Sequence, residues 1–328
     1  MPVRTSIISN LKRASPLIIS GLATLVLAPS AVADEKIGIA MPTNAGAFYS
    51  AVLYGAMNEA ERLGYDVVVL DAGGFAHPET QIDHISNLVV QGVDAILTDP
   101  IDPATLNGAM RQARAAGIAV VGLGSPVVAT DVEADAASTS SQCDLGKQMA
   151  KGARSVLPEG GTIVSLAGPP GAYWANERYR CFKEGIEGTD IKIISERYSA
   201  GDAATALSIT NDFLQRFPDA DLIYAADDTL GVGAARAVQQ VGQCGTVKVL
   251  MAGYGEAAEE MLNVGCAQYI VAQQTVLIGR TAVRLADALI KGATLDQKIT
   301  QVPFLSVTVE TAASVDVSLI RQPADWKP

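Results

Sequence analysis

From Lys36 onward the chain repeats one supersecondary unit, in which a short apolar strand leads through a turn rich in Gly, Pro and Asp into an amphipathic helix. Most of these strands are nearly continuous apolar runs, as expected when helices cover both faces of a parallel sheet. The alternation of strand and helix predicts a doubly wound α/β sheet. Strands are predicted at residues 36–42, 66–71, 94–98, 118–123, 162–167, 190–195, 221–225, 247–252 and 267–272.

The segments between the strands have the apolar spacing of helices that pack on a sheet. Apolar side chains from Phe48 to Leu63 fall on one helical face, and Gly64 follows as a stop. The same pattern comes before Gly92 and before Gly292. A polar stretch over 130–141 follows four strand-helix units and indicates a crossover between two similar domains.

The first 33 residues have the three parts of an export signal. A basic leader containing Arg4, Lys12 and Arg13 is followed by an apolar stretch over 17–28. Ala31-Val32-Ala33 then has the small-x-small form that signal peptidase cleaves. The apolar stretch is too short to span a bilayer. The residue directly after the cleavage site is not a cysteine, so it cannot carry a lipid anchor. We therefore expect a soluble periplasmic or secreted protein that starts at Asp34, is not a lipoprotein and has no direct membrane anchor.

Charge and length limit the classes of partner and of fold. Removal of the signal takes away three basic residues and no acids, so the formal charge changes from −11 to −14. A strongly acidic chain is a poor partner for nucleic acid. The 295 residues that remain are enough for two domains, each with its own core.

The four cysteines are predicted to form two disulfides, because an exported chain enters an oxidising compartment. Cys244 and Cys266 each stand just before a largely apolar run. If these two runs are neighbouring parallel strands, the two cysteines lie side by side at the same edge of the sheet. A reactive thiol would need a nearby histidine, and both histidines lie in the other half of the chain. No Cys-x-x-Cys or Cys/His cluster predicts a metal site. The expected bridges are Cys143–Cys181 and Cys244–Cys266.

Aromatic residues are scarce, yet several stand after strands or in the first turns of helices. In an open α/β sheet, ligands bind at the carboxyl ends of the strands. Some of these rings could instead cap the core, and for Phe75 the two interpretations are equally favoured. For Tyr173 and Trp174, after the Gly-Pro-Pro-Gly turn at 168–171, stacking on a ligand is favoured. The aromatic residues at these positions are Phe48, Tyr49, Phe75, Tyr173, Trp174 and Tyr254.

Polar side chains stand at the same strand ends. Asp99 and Asp227 are candidates for hydrogen bonds to a ligand, and Gln273 could contribute an amide. Short acids before a helix are usually N-caps, and Asp228 is most simply one.

Motifs typical of enzymes are absent. The chain has no phosphate-binding G-x-x-x-x-G-K-[ST] loop, no G-x-S-x-G nucleophile elbow and no H-E-x-x-H helix. Gly231-Val232-Gly233 lies in a helical segment, where it is a weak signal for a nucleotide. With only two histidines, of which His84 is expected to be solvated, general acid-base catalysis lacks its usual residue. We expect no enzymatic activity and no cofactor.

Several segments resemble the ribose-type periplasmic binding proteins, the solute receptors of ATP-driven importers. The resemblance covers nearly all of residues 36–295, in the same order and spacing. It implies two Rossmann-like lobes joined by a three-crossover hinge, with the ligand in the cleft and closure about the hinge. The implied domains are 34–137 plus 274–302 for the N-terminal lobe and 138–273 plus 303–328 for the C-terminal lobe. The matching segments are Phe48-Tyr49, Tyr54-Gly55-Ala56, 63–71, 91–97 and 231–236.

The resemblance also implies ligand-binding positions. Phe48 and Tyr49 match an aromatic pair that sandwiches a sugar, while Asp99, Asp227 and Gln273 match polar contacts. Three further family positions differ in this chain, which points away from an ordinary aldopentose. A sugar-gripping Asp-Arg pair falls on Gly124-Ser125, a second-lobe Arg falls on Asn176, and a ligand Asp falls on Gly255.

A local likeness also exists to the periplasmic branch that senses trimethylamine N-oxide. It rests on 70–75, on Gln81-Ile82-Asp83 and on the Gly168-Pro169 turn. The leading hypothesis is a monomeric solute receptor that binds a small polar ligand, a sugar or sugar-like molecule, and partners an ABC permease. The alternative is a sensory co-receptor that partners a histidine kinase and binds an amine or amine oxide, since aromatic rings and acids also suit a cation. An unrecognised hydrolase is the third hypothesis.

Overall fold

The computed structural model describes residues 35–127, 134–199 and 202–327. The predicted export signal lies outside these residues. The described chain contains two six-stranded sheets, each with helices on both faces. The predicted fold class, two doubly wound α/β lobes, is confirmed.

The first lobe begins at the start of the described chain. Its sheet has the strand order β11-β5-β4-β3-β1-β2, and the pairs are parallel. Its elements are β1 (Lys36–Met41), α1 (Ala47–Leu63), β2 (Asp66–Asp71), α2 (Pro78–Gln91), β3 (Ala95–Thr98), α3 (Asn107–Ala115), β4 (Ala119–Gly124), β5 (Ala136–Thr139), α9 (Thr275–Ile290) and β11 (Ile299–Gln301).

The second lobe repeats this plan. Its sheet has the order β12-β10-β9-β8-β6-β7, in which only β12 runs antiparallel to its neighbour. Its elements are α4 (Gln142–Val156), β6 (Gly161–Leu166), α5 (Tyr173–Ile186), β7 (Ile191–Arg197), α6 (Ala203–Arg216), β8 (Leu222–Ala225), α7 (Asp228–Gln240), β9 (Lys248–Ala252), α8 (Glu256–Asn263), β10 (Tyr269–Gln273) and β12 (Phe304–Val307).

The chain passes between the two sheets three times: after β5, after β10 and after β11. The predicted boundary after residue 137 would divide β5, so the first crossover lies after Thr139. Strand β5 did not stand out in the sequence because Ala-Ala-Ser-Thr is short and half polar. All four residues are buried, and the hydroxyls are satisfied by neighbouring elements of the first lobe, since Ser138 donates to the Ile278 carbonyl and Thr139 to the Gly124 carbonyl.

Helices cross in each lobe at a glycine, where the two backbones come into contact. A Cβ atom on Gly55 in α1 would lie 2.1 Å from the Val276 carbonyl oxygen of α9. In the second lobe, a Cβ atom on Gly146 in α4 would lie 2.1 Å from the Arg178 carbonyl oxygen of α5. Both distances are shorter than any real contact, so these positions require glycine. The second crossing sets the distance between α4 and α5, which matters for the site described below.

Two disulfides join the predicted cysteine pairs. Cys143 in the first turn of α4 is bonded to Cys181 in α5, with Cα atoms 5.1 Å apart. Cys244 is bonded to Cys266, with Cα atoms 4.4 Å apart. The second pair precedes β9 and β10, which are parallel neighbours as expected. This bridge therefore lies at the amino ends of the two strands.

The residues after β12 contact both lobes. Two short 3-10 turns, Ala312–Ser314 and Val317–Leu319, lead to Arg321. Its guanidinium lies 2.7 Å from the Glu259 carboxylate on α8 in the second lobe. The Trp326 ring packs edge to face on Tyr54 of α1 in the first lobe, with centroids 5.5 Å apart. The sequence carried little signal here, and the prediction that assigned 303–328 to the second lobe alone did not foresee the contact with α1.

Within residues 35–127, 134–199 and 202–327, no helix combines the length and the apolar character needed to cross a bilayer.

Candidate functional site

A cavity of about 380 Å³ lies between the two lobes, where the carboxyl ends of strands from both sheets meet. Residues that follow β1, β2, β3 and β4 line it from the first lobe, and residues that follow β6, β8, β9 and β10 line it from the second. The volume falls in the range of about 300–1,000 Å³ that small-molecule sites occupy. Its position is the one expected for a ligand site in an open α/β sheet.

Aromatic rings from both lobes form the apolar wall of the cavity. Phe48 and Tyr49, at the start of α1, lie edge to face with ring centroids 5.1 Å apart. Phe75, whose role the sequence left open, also lines the cavity and approaches Trp174 of the opposite lobe, with centroids 6.2 Å apart. Trp174 is 9 % exposed and lies in the first turn of α5. A flat ligand face would meet rings from both lobes.

Asp99 is a buried acid of the first lobe that lines the cavity, directly after β3. One carboxylate oxygen accepts a hydrogen bond of 2.9 Å from the Tyr49 hydroxyl. The other oxygen has no hydrogen-bond partner of normal geometry among the described residues. Burial raises the pKa of Asp99 to about 7, while the Ser125 and Tyr49 hydroxyls lower it by less. Asp99 therefore offers a ligand a buried acceptor that is only partly charged near neutral pH.

Asp227 and Asp228 stand at the start of α7, and their roles differ from the prediction. Asp227, not Asp228, caps the helix, since its carboxylate accepts a 2.8 Å hydrogen bond from the Leu230 amide. The Asp227 backbone is extended, as an N-cap requires, whereas Asp228 is already helical. Asp228 instead accepts a 2.9 Å hydrogen bond from the Gly255 amide. Both line the cavity, and burial raises the pKa of Asp227 to about 7 and raises that of Asp228.

Among the described residues that line the cavity, Arg178 is the one with a cationic side chain. The sequence analysis did not identify it as a site residue. It lies on α5 one helical turn after Trp174, and its guanidinium carbon is 5.0 Å from the centre of that ring. Burial lowers the pKa of Arg178, while nearby acids, Asp227 and Asp228 among them, oppose this effect. The i, i+4 spacing from Trp174 was the signal that would have found it, because such residues share one helical face.

The guanidinium of Arg178 donates hydrogen bonds to two glutamines near the crossovers and to one backbone carbonyl after β8. Its Nε and Nη2 atoms donate to the Gln142 amide oxygen, at 3.2 and 2.6 Å. Nη2 also donates to the Gln273 amide oxygen at 3.3 Å, and Nη1 donates to the Ala226 carbonyl at 2.5 Å. Gln142 was not predicted either, because no pattern in the sequence places a residue of the first crossover beside α5. Gln142, Arg178 and Gln273 all line the cavity.

Two buried N–H groups in the cavity wall lack an acceptor. Trp174 Nε1 and Gln273 Nε2 have no hydrogen-bond partner within the described part of the chain. Both residues line the cavity, and Gln273 is 2 % exposed. A buried donor without a partner costs about 1–3 kcal/mol, so an acceptor that enters the cavity removes this penalty.

Three predicted ligand-binding residues do not line the cavity. Tyr173 and Asn176 lie on α5 beside Trp174 and Arg178, but a helix turns by about 100° per residue and presents them on other faces. Tyr254 follows β9, yet its hydroxyl donates to Glu259 at 2.9 Å and its ring lies under Arg321. It borders a second cavity of about 230 Å³. The predicted residues that do line the larger cavity are Phe48, Tyr49, Asp99, Trp174, Asp227 and Gln273.

Comparisons with known proteins agree with this architecture. A model of the periplasmic binding protein domain matches residues 37–294. The ribose import binding protein RbsB of Escherichia coli K12 is 26 % identical over 291 residues, which cover 88 % of this chain and 96 % of that protein. The D-allose-binding periplasmic protein of the same organism is 26 % identical over 274 residues, covering 80 % and 87 %.

Solved structures share the fold. The substrate-binding protein of a sugar ABC transport system from Bordetella parapertussis has a TM-score of 0.83 at 22 % identity, covering 90 % of this chain and 96 % of that one. An ABC transporter solute-binding protein from Agrobacterium vitis with bound D-fucose also has a TM-score of 0.83 at 22 % identity, covering 88 % and 100 %.

Proposed function

Because the chain belongs to the periplasmic binding protein domain family, we propose that it is the substrate-binding component of an ABC importer. In this proposal a sugar or sugar-like molecule binds in the cavity between the lobes, and the lobes close about the three crossovers. The relatives named above are a ribose import binding protein and a D-allose-binding periplasmic protein. These findings do not support the sensory alternative, and we propose an ABC permease as the partner, with the receptor acting as a periplasmic monomer.

The observation that carries the proposal is a set of unpartnered polar atoms from both lobes around one cavity. The first lobe contributes the Asp99 oxygen that has no hydrogen-bond partner of normal geometry among the described residues, and the second contributes the N–H groups of Trp174 and Gln273. A hydroxyl group can donate to the first and accept from the other two. A polyhydroxylated ring would satisfy all three atoms, while its flat faces pack on the aromatic wall.

We further propose that the protein returns its ligand unchanged. In the described chain, the cavity is lined by neither histidine nor cysteine. The hydroxyl-bearing residues of the wall, such as Ser125 and Thr229, therefore lack the histidine that most often activates a hydroxyl nucleophile, and the polar groups beside them are carboxyls such as Asp99.

A thermal-shift screen tests the proposal. D-Ribose, D-allose, D-fucose, trimethylamine and trimethylamine N-oxide are each added to the purified protein. A ligand at 100 times its dissociation constant stabilises the folded state by about 2.7 kcal/mol, so a bound sugar raises the melting temperature. A shift with the amine or the amine oxide and with none of the sugars would contradict the sugar proposal. The ligand that binds is then incubated with the protein and analysed. If it has been chemically converted, the proposal that the protein returns its ligand unchanged is contradicted.

Removal of the aromatic ring of Trp174 or of Phe48 from the cavity wall should weaken ligand binding. We expect Trp174→Ala and Phe48→Ala each to lower the affinity for the sugar found in the screen by about 1–3 kcal/mol, the scale for burying a large apolar side chain. Isothermal titration calorimetry measures the change. Tyr173→Ala is the matched control, since it removes a neighbouring ring that lies outside the cavity. Equal losses in Tyr173→Ala and Trp174→Ala would move the site away from the cavity wall.

A further inference from the structure

Arg178 determines how two glutamine side chains are oriented. A guanidinium has five N–H donors and no acceptor. Its contacts with Gln142 and Gln273 are therefore possible only if both amide oxygens point toward it, as they do at 2.6 and 3.3 Å. Each amide nitrogen then points elsewhere. The nitrogen of Gln142 lies 3.5 Å from the Gly124 carbonyl, at the end of β4 in the first lobe.

For Gln273, this orientation presents an N–H donor to the cavity. Its oxygen is occupied by Arg178, and its nitrogen is buried with no partner among the residues that the structure describes. If the amide were reversed, its oxygen would be unpaired and its nitrogen would oppose the donors of Arg178. The arginine thus excludes the second rotamer of the amide.

Gln142 in turn holds Arg178 in place. It accepts from two guanidinium nitrogens, whereas Gln273 accepts from one. Both glutamines are almost fully buried, at 4 % and 2 % exposed. They stand beside the first and second crossovers, at the start of α4 and at the end of β10.

We propose that Gln142 and Arg178 are positioning residues that set the ligand specificity of the site by fixing the Gln273 amide with its N–H toward the ligand. This inference rests on the proposed function. The ligand atom at this position must act as a hydrogen-bond acceptor, such as a ring oxygen or the oxygen of a hydroxyl group that donates its proton elsewhere. A group that only donates, such as an ammonium, meets a donor there and is rejected.

Three substitutions separate positioning from general stability. Gln273→Glu replaces the N–H by an acceptor and keeps the contact with Arg178, so the melting temperature is retained while affinity for D-ribose or D-allose falls about 10- to 100-fold. Gln142→Leu removes the acceptor for Arg178 and lowers affinity about 10-fold. Gln142→Glu restores an acceptor and recovers most of that loss. Gln148→Leu, on the same helix but outside the cavity, is the matched control.

A measurement without ligand keeps this test independent of the proposed function. In nitrogen-15 NMR spectra of the free protein, the Arg178 Nε–H and Gln273 amide protons are assigned from the Arg178→Lys and Gln273→Glu spectra. We expect Gln142→Leu to speed the exchange of Arg178 Nε–H at least about 10-fold, because the hydrogen bond protects it, and to shift the Gln273 amide signals. Gln142→Glu reverses both changes.

The outcomes separate the two proposals. If no sugar binds the wild-type protein but the NMR changes occur, the proposed function fails and the positioning network stands. If Gln142→Leu leaves the Gln273 signals unchanged, or Gln273→Glu binds the sugar as tightly as wild type, the positioning role is overturned. Should Gln142→Leu not fold, Gln142→Glu decides alone, and an affinity as low as that of Gln273→Glu overturns the inference.

Discussion

Raising the pH from about 4 to about 7 is expected to lower the free energy of unfolding of the ligand-free protein by about 3 kcal/mol through Asp99 alone. Its pKa in the folded protein is about 7, raised by burial above the ordinary value of 3.8. The folded state therefore keeps a proton that the unfolded state releases. This contribution is fully present below pH 3.8 and is lost at about 1.4 kcal/mol per pH unit as the pH rises to about 7.

Chemical denaturation across this pH range measures the effect. Asp99→Asn removes the titrating group and should flatten the curve by about one proton per molecule. Asp227, whose pKa is also raised to about 7, acts in the same direction and leaves a residual slope in that variant. Glu59, whose pKa is lowered to about 2 by its contacts with Arg62 and Arg284, acts oppositely and mainly below pH 4.5. The same slope in wild type and Asp99→Asn would show that Asp99 ionises freely in the folded protein.

Opening the Cys143–Cys181 bridge should cost both stability and affinity. The bridge closes a segment with a sequence separation of 38 residues, and a loop of this size is worth about 3–4 kcal/mol in the chain-entropy model. Cys143 is adjacent to Gln142, and Cys181 lies one turn after Arg178. The Cys143→Ala/Cys181→Ala variant is therefore expected to unfold at lower denaturant concentration and to bind its sugar several-fold more weakly.

The second disulfide provides a control of similar size. Cys244→Ala/Cys266→Ala opens a bridge with a sequence separation of 22 residues, for which the same model gives about 3 kcal/mol. Because this bridge lies at the amino ends of β9 and β10 and the cavity at their carboxyl ends, we expect lower stability with unchanged affinity. Denaturation and calorimetry on both variants test the difference. An equal loss of affinity in both would show that it follows from global destabilisation.

The strands with continuous apolar runs could be predicted from the sequence, because burial on both faces of a parallel sheet leaves a strong local pattern. All nine of the predicted strands are present, with their ends shifted by at most two residues. The three that were missed are short or half polar: β5 reads Ala-Ala-Ser-Thr, β11 has three residues and β12 has four. They are specified by their neighbours in the sheets, which no local pattern reveals.

The residues of the site also fall into those that a local sequence pattern predicts and those that depend on contacts distant in sequence. The placement of Asp99, Asp227 and Gln273 in the cavity wall could be predicted because each lies at the carboxyl end of a strand or within two residues of it. The carboxyl edge of a parallel sheet brings such residues together. Arg178 and Gln142 depend on the crossing of α4 and α5 at Gly146, which is a contact distant in sequence. Asn176, to which the family resemblance assigned a ligand position, does not line the cavity, whereas Arg178 does, because two residues along a helix change the face.

The positions of the two tryptophans have a practical consequence. Trp174 lies in the cavity wall with its indole N–H unpaired within the described chain, while Trp326 lies against α1 near the end of the chain. Intrinsic fluorescence therefore combines one signal from the cavity with one from the tail. Replacing Trp326 by phenylalanine keeps an aromatic ring against Tyr54 and leaves Trp174 as the single tryptophan. Excited selectively, this tryptophan makes the protein an unlabelled optical sensor for whatever enters the cavity.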